Sequence, residues 1–352
     1  MDPALNDMLG DFLSILLEGA FFIFIGTVIS GFIDAYLPSN LMDKWLPKNR
    51  YVAVLVSGLL GAVFPVCECA IVPVIRRLIA KGLPLACALT YMLSAPIVNP
   101  VVITSTIAAF QEWGTHGVYV AVSRVIMAYG ITVFVGFVIL KTPMEAILKN
   151  AVLKTIKSNR ESEEHHHDHE HDHNHEHDHK HGADEHEGDH HHHHEHGDGH
   201  EHDHDHHDHS PVEGSRLIQA MRTAQNDFTD VAMYFVFGVF LTAWFNIYVS
   251  KSWVEGFASN DWLASPALMV MAFILSLCST SDAFVAAALQ KFSYAAKLAF
   301  LVYGPMMDVK LVFLYSTVFK PRFVLILAVG LFILVWIVSV MWGQQTLPQP
   351  RP

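Results

Sequence analysis

YVAVLVSGLLGAVFPVCECAIVPVI, residues 51–75, decides the class of this chain. Glu68 is its only charged side chain. About 20 apolar residues suffice to cross the hydrocarbon core of a bilayer. Seven further stretches of this kind occur, at 12–33, 83–110, 117–140, 228–249, 263–289, 292–319 and 323–342. Short polar connections separate them, apart from a long insertion at 141–227. The pattern predicts an all-α polytopic membrane protein with about eight transmembrane helices. A soluble bundle would need far more polar surface than these connections supply. Asp2, Asp7 and Asp11 stand where a secretory signal carries positive charge, and no cleavage site follows, so the first stretch reads as a span.

Composition sharpens this. The 352 residues carry a formal charge of −12. Residues 161–209 hold 23 of the 24 histidines, 18 of the 34 acids and one base, Lys180. That window carries −17, and the remaining 303 residues carry +5. The window has one apolar residue, Ala183, so the remainder is about 60% apolar, against roughly 45–50% in soluble chains. An ordinary soluble globular protein is excluded. The chain divides into membrane half 1–142, a linker 143–226, membrane half 227–343 and a tail 344–352.

Shifting the first half by 209 residues places Cys69 on Cys278, Pro96 on Pro305 and Asn99 on Asp308. Segments 51–75 and 83–110 fall on 260–284 and 292–319. This predicts two four-helix repeats. Four crossings per half would make the repeat parallel, with its axis along the membrane normal. Both termini and the insertion then share a side. Lys141, Lys149, Lys154, Lys157, Arg160, Arg216, Arg222, Arg76, Arg77 and Lys81 assign that side to the cytoplasm of a bacterial-type inner membrane. Lys44, Lys48, Arg50, Lys251, Lys320 and Arg322 fall opposite, so the charge bias is imperfect.

Prolines mark expected helix breaks, and for 51–82 they would also fit a re-entrant hairpin in place of a full crossing. A proline inside a helix lacks its donor and clashes with the carbonyl four residues back. Pro65 and Pro73 flank Cys67-Glu68-Cys69, and Pro96 and Pro100 flank Asn99. Residues i and i+2 share a side only in extended chain. Cys67 and Cys69 can therefore grip one ion only if the segment unwinds. Thiolates suit copper(I), zinc and other thiophilic species. Glu68 adds an acid at membrane depth, where ionisable groups often mark a pathway. The plainer reading is two small cysteines packed in a helix. Asn99 equally suits an interhelical hydrogen bond.

The second half offers Ser276, Cys278, Ser279, Thr280, Ser281 and Asp282 within one helix, then Pro305, Met306, Met307, Asp308 and Lys310 in the next. Asp282, Asp308 and Lys310 are pathway candidates, or a structural ion pair involving Lys310. The methionines read as packing. Glu18 and Arg124 are further pathway candidates, or they neutralise each other or sit near an interface.

Pro-x-Cys-x-Cys, Ser-Ala-Pro-x-x-Asn-Pro, Cys-Ser-Thr-Ser-Asp and Gly-Pro-Met-x-Asp together resemble the predicted-permease family of ArsP-type organoarsenical efflux proteins. The resemblance implies an eight-helix permease with a cytoplasmic loop between its halves. It implies that Cys67 and Cys69 hold trivalent organoarsenicals. Glu68 and the histidine-rich loop depart from that pattern and look more like a branch of copper and zinc efflux permeases.

The loop alternates His with Asp or Glu: His165, His166, His167, His169, His171, His173, His175, His177 and His179, then His190, His191, His192, His193 and His194, then His202, His204, His206, His207 and His209. Lacking apolar residues, it should be disordered. Neutral imidazole suits zinc, copper and nickel, and protons compete below pH about 6.5. So many copies suggest a collector of metal, with a solvated charged linker as the plainer alternative. No His-Glu-x-x-His, Gly-x-Ser-x-Gly or phosphate loop points to an enzyme. Four cysteines, all in apolar stretches, give no disulfide framework.

The sequence thus reads as a secondary permease exporting zinc or copper, with no resident cofactor and no nucleic-acid partner. Its partners are the bilayer, the metal and protons as coupling ion. Cys67, Glu68, Cys69, Asn99, Cys278, Ser281, Asp282, Asp308 and Lys310 form its expected pathway. The alternatives are an organoarsenical permease and a membrane-bound metal sensor or store.

Overall fold

The computed structural model describes residues 3–36, 47–64, 66–111, 116–154, 156, 213–248 and 260–346. The histidine-rich stretch 161–209 and Pro65 lie outside the described residues. The helices are α1 (Pro3–Tyr36), α2 (Arg50–Val63), α3 (Ile71–Ala80), α4 (Leu85–Ser94), α5 (Pro100–Ala109), α6 (His116–Ile139) and the short α7 (Met144–Ile147). The second half supplies α8 (Glu213–Tyr248), α9 (Asp261–Leu275), α10 (Asp282–Ala288), α11 (Tyr294–Met306), α12 (Val309–Val318) and α13 (Pro321–Thr346). All eight apolar stretches are helical, and the protein is an all-α polytopic membrane protein. Four stretches are continuous helices (α1, α6, α8, α13). The other four are each split in two.

Direction decides what each split stretch does. At 1.5 Å per residue, the 14-residue α2 reaches about 21 Å, short of a hydrocarbon core of roughly 30 Å. It runs parallel to α4: Gly58 lies against Thr90, and Gly61 against Ala95 and Val98. Lys48 and Arg50 share a cavity with Gly82, Pro84 and Leu85, so both ends of the 50–84 segment lie on one face. Against α6 the run is antiparallel, with Tyr51 on Phe137 and the Tyr129 hydroxyl donating to the Leu55 carbonyl (3.0 Å). Thus α2 enters and α3 returns, as a hairpin that does not cross. The α9–α10 segment repeats this: Trp262 meets Trp336 while Val270 and Phe273 lie by Phe332, so α9 runs antiparallel to α13, and Ala295 meets Gly343 while Tyr303 meets Phe332, so α11 does too; α9 is therefore parallel to α11.

The two halves are inverted. Phe12 packs on Phe240 and Phe24 on Phe228, so α1 and α8 run antiparallel. Among the described residues each half therefore has three crossings and one hairpin, and an odd count reverses its successor. The shift of 209 carries α5 onto α12 and its cap Asn99 onto Asp308. This corrects the expectation of a parallel repeat; the pseudo-two-fold axis lies in the membrane plane. Lys149 N–H donates to Val318 O (3.1 Å) and Lys320 N–H to Ile147 O (2.9 Å), fixing residues 147–149 and 318–320 on one face, here called the loop face. The start of α1 and the end of α13 lie on the other.

Local chemistry explains the breaks. Asn99 caps α5 by accepting from Val101 N–H (2.9 Å), with Pro100 as first helical residue, where its missing donor costs nothing. Asp308 caps α12 by accepting from Leu311 N–H (2.7 Å). Such caps contribute about 1 kcal/mol each. Pro96 sits in the turn after α4, as expected. Two expected breaks fall elsewhere. Pro73 lies in the first turn of α3, where a proline is tolerated, and the unwinding precedes it. Pro305 lies inside α11, which ends only after Met306. The break after α9 has no proline at all: Ser276 turns it in the left-handed region at φ 46°. The core is built around α4 and α11, buried along their whole lengths.

Candidate functional site

The two hairpins enter from opposite faces, and their tips meet. Residues 66–70 form one tip and Ser276–Ser281 the other. Cys67, Glu68 and Cys69 of the first and Ser276, Cys278 and Ser281 of the second line a single cavity of about 570 Å³. The expected unwinding at Cys67–Cys69 is present. Ser276 to Ser281, expected on a helix, instead form an irregular turn. In a bilayer, irregular backbone is tolerated where it is buried in protein or lines a cavity. The Ser279 hydroxyl donates to Glu68 Oε2 (3.2 Å), joining tip to tip.

Lys310 is the hub of this site. From the first turn of α12 its Nζ donates to Ser276 O (2.8 Å) and approaches Leu277 O, Glu68 Oε1 and Asp308 Oδ2, each at 3.4 Å. The left-handed turn at Ser276 aims that carbonyl. Glu68 is 2% exposed and Asp308 fully buried. The sequence anticipated an ion pair of Lys310 with an aspartate; it did not anticipate Glu68 as a further partner. Asn99 is buried as a helix cap and does not line the cavity.

Asp282 pairs elsewhere. Arg124 of α6, 1% exposed, donates to Asp282 Oδ2 (2.7 Å), Thr106 Oγ1 (2.8 Å) and Ser279 O (3.2 Å). Of the alternatives open for Arg124 and Glu18, mutual neutralisation is thereby excluded. Glu18 is exposed and lines the cavity with Ser14, Ile15 and Phe22. Among the described residues, no three His, Cys, Asp or Glu side chains are grouped closely enough to hold one metal ion.

The cavity extends along the first half of α1, away from the loop face. Toward the loop face the path is shut. A Cβ on Gly26 would stand 2.6 Å from Ala70 O, so only glycine lets α1 approach the first tip this closely. Ser30 donates to Pro73 O (3.2 Å) and Asp227 Oδ2 (3.0 Å). Arg77 grips Asp227 with two bonds, Nε to Oδ2 (2.9 Å) and Nη2 to Oδ1 (2.8 Å), and Arg76 reaches Asp230 at 3.5 Å. Sequence reasoning used these arginines only for orientation and missed Asp227. The shift of 209 places Asp227 on Glu18, so equivalent acids stand at the closed and the open ends. A bidentate charged bond contributes about 1.5–3 kcal/mol. Asp227→Asn is expected to raise hydrogen exchange of the α3 amides at least tenfold; unchanged exchange would remove the latch.

A family described as "Predicted permease" matches residues 4–344. UPF0718 protein YcgR of Bacillus subtilis (strain 168) is 33% identical over 330 residues, 92% of each chain. A protein of Streptococcus mutans, provisionally named a two-component membrane permease complex subunit, is 30% identical over 316 residues, 89% of this chain and 87% of its own. UPF0718 protein MJ0584 of Methanocaldococcus jannaschii is 23% identical over 125 residues, 35% of this chain and 31% of its own. No solved structure is significantly similar.

Proposed function

We infer the function from one premise: the chain belongs to the predicted-permease family. It is a membrane permease. The finer reading is secondary transport of thiophilic metal, zinc or copper, out of the cytoplasm. One observation carries it: three thiols and a carboxylate, from hairpins of opposite polarity, face one cavity. Inverted repeats with discontinuous helices place substrate near the midplane, and alternating access exchanges the conformations of the halves. The cavity reaching one face and the ion-paired closure at the other suit one such state. Metal binding would have to draw Cys67, Cys69 and Cys278 closer than they stand. The thiols equally suit trivalent arsenic, which is the second reading.

Orientation follows from charge once the hairpins are counted. Lys48, Arg50, Arg76, Arg77, Lys81, Lys141, Lys149, Arg222, Lys320 and Arg322 all attach to the loop face, and Lys291 to the other. That bias supports the reading in which the loop face is turned to the cytoplasm of a plasma membrane. The histidine-rich stretch would then gather metal on the cytoplasmic side, before export.

Efflux of radioactive zinc and copper from cells expressing the chain tests this. Cys67→Ser/Cys69→Ser is expected to reduce metal efflux at least tenfold. Deletion of 161–209 is expected to reduce it at low metal only. Efflux unaffected by the double substitution would sink the thiol site. Resistance to methylated trivalent arsenic without metal efflux would select the second reading.

A further inference from the structure

We propose that Lys310 is a tethered cation that biases the site by valence, shifting its preference toward singly charged soft cations relative to doubly charged ones. The inference rests on the thiophilic-metal reading of the cavity and deepens it. Four oxygens surround the Lys310 ammonium: Ser276 O at 2.8 Å, and Leu277 O, Glu68 Oε1 and Asp308 Oδ2 at 3.4 Å. Two carboxylates, two carbonyls and a strained serine turn make an oxygen cage of the kind that binds a metal cation. The chain fills it with its own ammonium.

That filling fixes the charge left for cargo. Glu68 and Asp308 carry two negative charges and Lys310 one positive, so the centre holds a formal −1. Arg124 and Asp282 form a separate neutral pair at 2.7 Å. Glu18 also lines the cavity, from α1, and its charge is common to all the variants compared below. Cys67, Cys69 and Cys278 line the same cavity as Lys310. A cation held by these thiols therefore shares the cavity with a fixed positive charge. The centre as a whole still attracts cations, and each ligating thiol that gives up its proton adds to that attraction. Compared with a neutral residue at 310, the ammonium weakens the attraction twice as much for a divalent as for a monovalent ion. The lysine thus discriminates by valence, while the thiols discriminate by softness.

Removing the charge should change the preference, not merely the affinity. The test uses the purified full chain in detergent, with silver(I) and zinc(II) at buffered free concentrations. The readout is protection of Cys67, Cys69 and Cys278 from N-ethylmaleimide, resolved by mass spectrometry. The histidines of 161–209 do not register in this readout, and Cys87, buried in α4, is an internal control. Silver binds thiols more tightly than zinc in any setting, so only the change in the ratio of half-protecting concentrations is informative. Lys310→Gln is expected to shift that ratio toward zinc at least tenfold, and Lys310→Arg less than threefold. Asp308→Asn, which keeps a capping side chain on α12, is expected to shift it toward silver at least tenfold. Lys310→Gln/Asp308→Asn restores the formal −1 and should return near the wild-type ratio. If Lys310→Gln does not fold, Asp308→Asn and the double variant carry the test. A ratio unchanged in both Lys310→Gln and Asp308→Asn overturns the proposal and leaves the thiol site standing. A wild type protected by neither ion overturns the metal reading of the cavity, and this inference with it.

Discussion

Arg124→Leu is expected to destabilise the folded protein by about 3–5 kcal/mol, because it strands the carboxylate of Asp282 among apolar side chains. The pair is dry, with Arg124 1% and Asp282 3% exposed. Neither group is fully satisfied: Arg124 Nε and Asp282 Oδ1 have no partner. An incompletely bonded buried pair is a poor source of net stability, because desolvation of two ions offsets their attraction. The loss in the single variant therefore measures the uncompensated charge, not the worth of the bond. Asp282→Leu should cost a similar amount by stranding the guanidinium. The double variant Arg124→Leu/Asp282→Leu should fall within about 1 kcal/mol of wild type, as apolar replacements of buried pairs commonly do. Thermal unfolding of the detergent-solubilised protein, followed by size exclusion, decides this. A double variant as unstable as either single one would show that the pair itself stabilises the fold. The double variant should still lose transport, since Arg124 also holds Ser279 O and so sets the second tip against α6.

The eight apolar stretches were legible because a bilayer demands long apolar runs, and each is helical. The duplication was legible because Cys69/Cys278 and Asn99/Asp308 keep one spacing of 209. The hairpins were legible only in part: the prolines of 51–82 allowed a re-entrant segment as an alternative, and nothing marked the second hairpin. Residues 51–82 are apolar enough to cross, and hydropathy carries no direction. What turns α3 back is packing: α2 lies beside α4 through Gly58 and Gly61, the tip meets α1 at Gly26, and α3 lies beside α1 where Ser30 donates to Pro73 O. These are long-range contacts that small residues permit but do not specify. Proline was an incomplete guide to the breaks. Pro73 sits harmlessly in a first turn, while Ser276 breaks its helix with no proline near it. In the site, the residue types were legible and their partners were not. Glu68, Lys310, Arg124 and Asp282 all stood out as costly charges in apolar surroundings. Which charge meets which depends on two tips brought together from opposite faces. A parallel arrangement gives no reason to pair Glu68 with Lys310.

The same correction yields an all-or-none expectation about sidedness. Counting eight crossings puts both ends of the chain on the side of the insertion and splits the basic residues between faces. Six crossings and two hairpins put Lys48, Arg50, Lys320 and Arg322 with the arginines of α3 and with Lys141 and Lys149. The bias then becomes nearly complete, although the fold was read from contacts alone. A reporter active only in the cytoplasm, inserted between residues 160 and 161, is therefore expected to be active, and the same reporter after residue 352 inactive. Alkaline phosphatase, which needs an oxidising compartment for its disulfides, should give the reverse pattern. Each reporter should differ at least tenfold between the two positions, because a folded domain is either translocated or not. Both positions reporting the cytoplasm would restore eight crossings and a parallel repeat. It would also dissolve the meeting of the tips, since the second hairpin could then no longer enter from the face opposite the first.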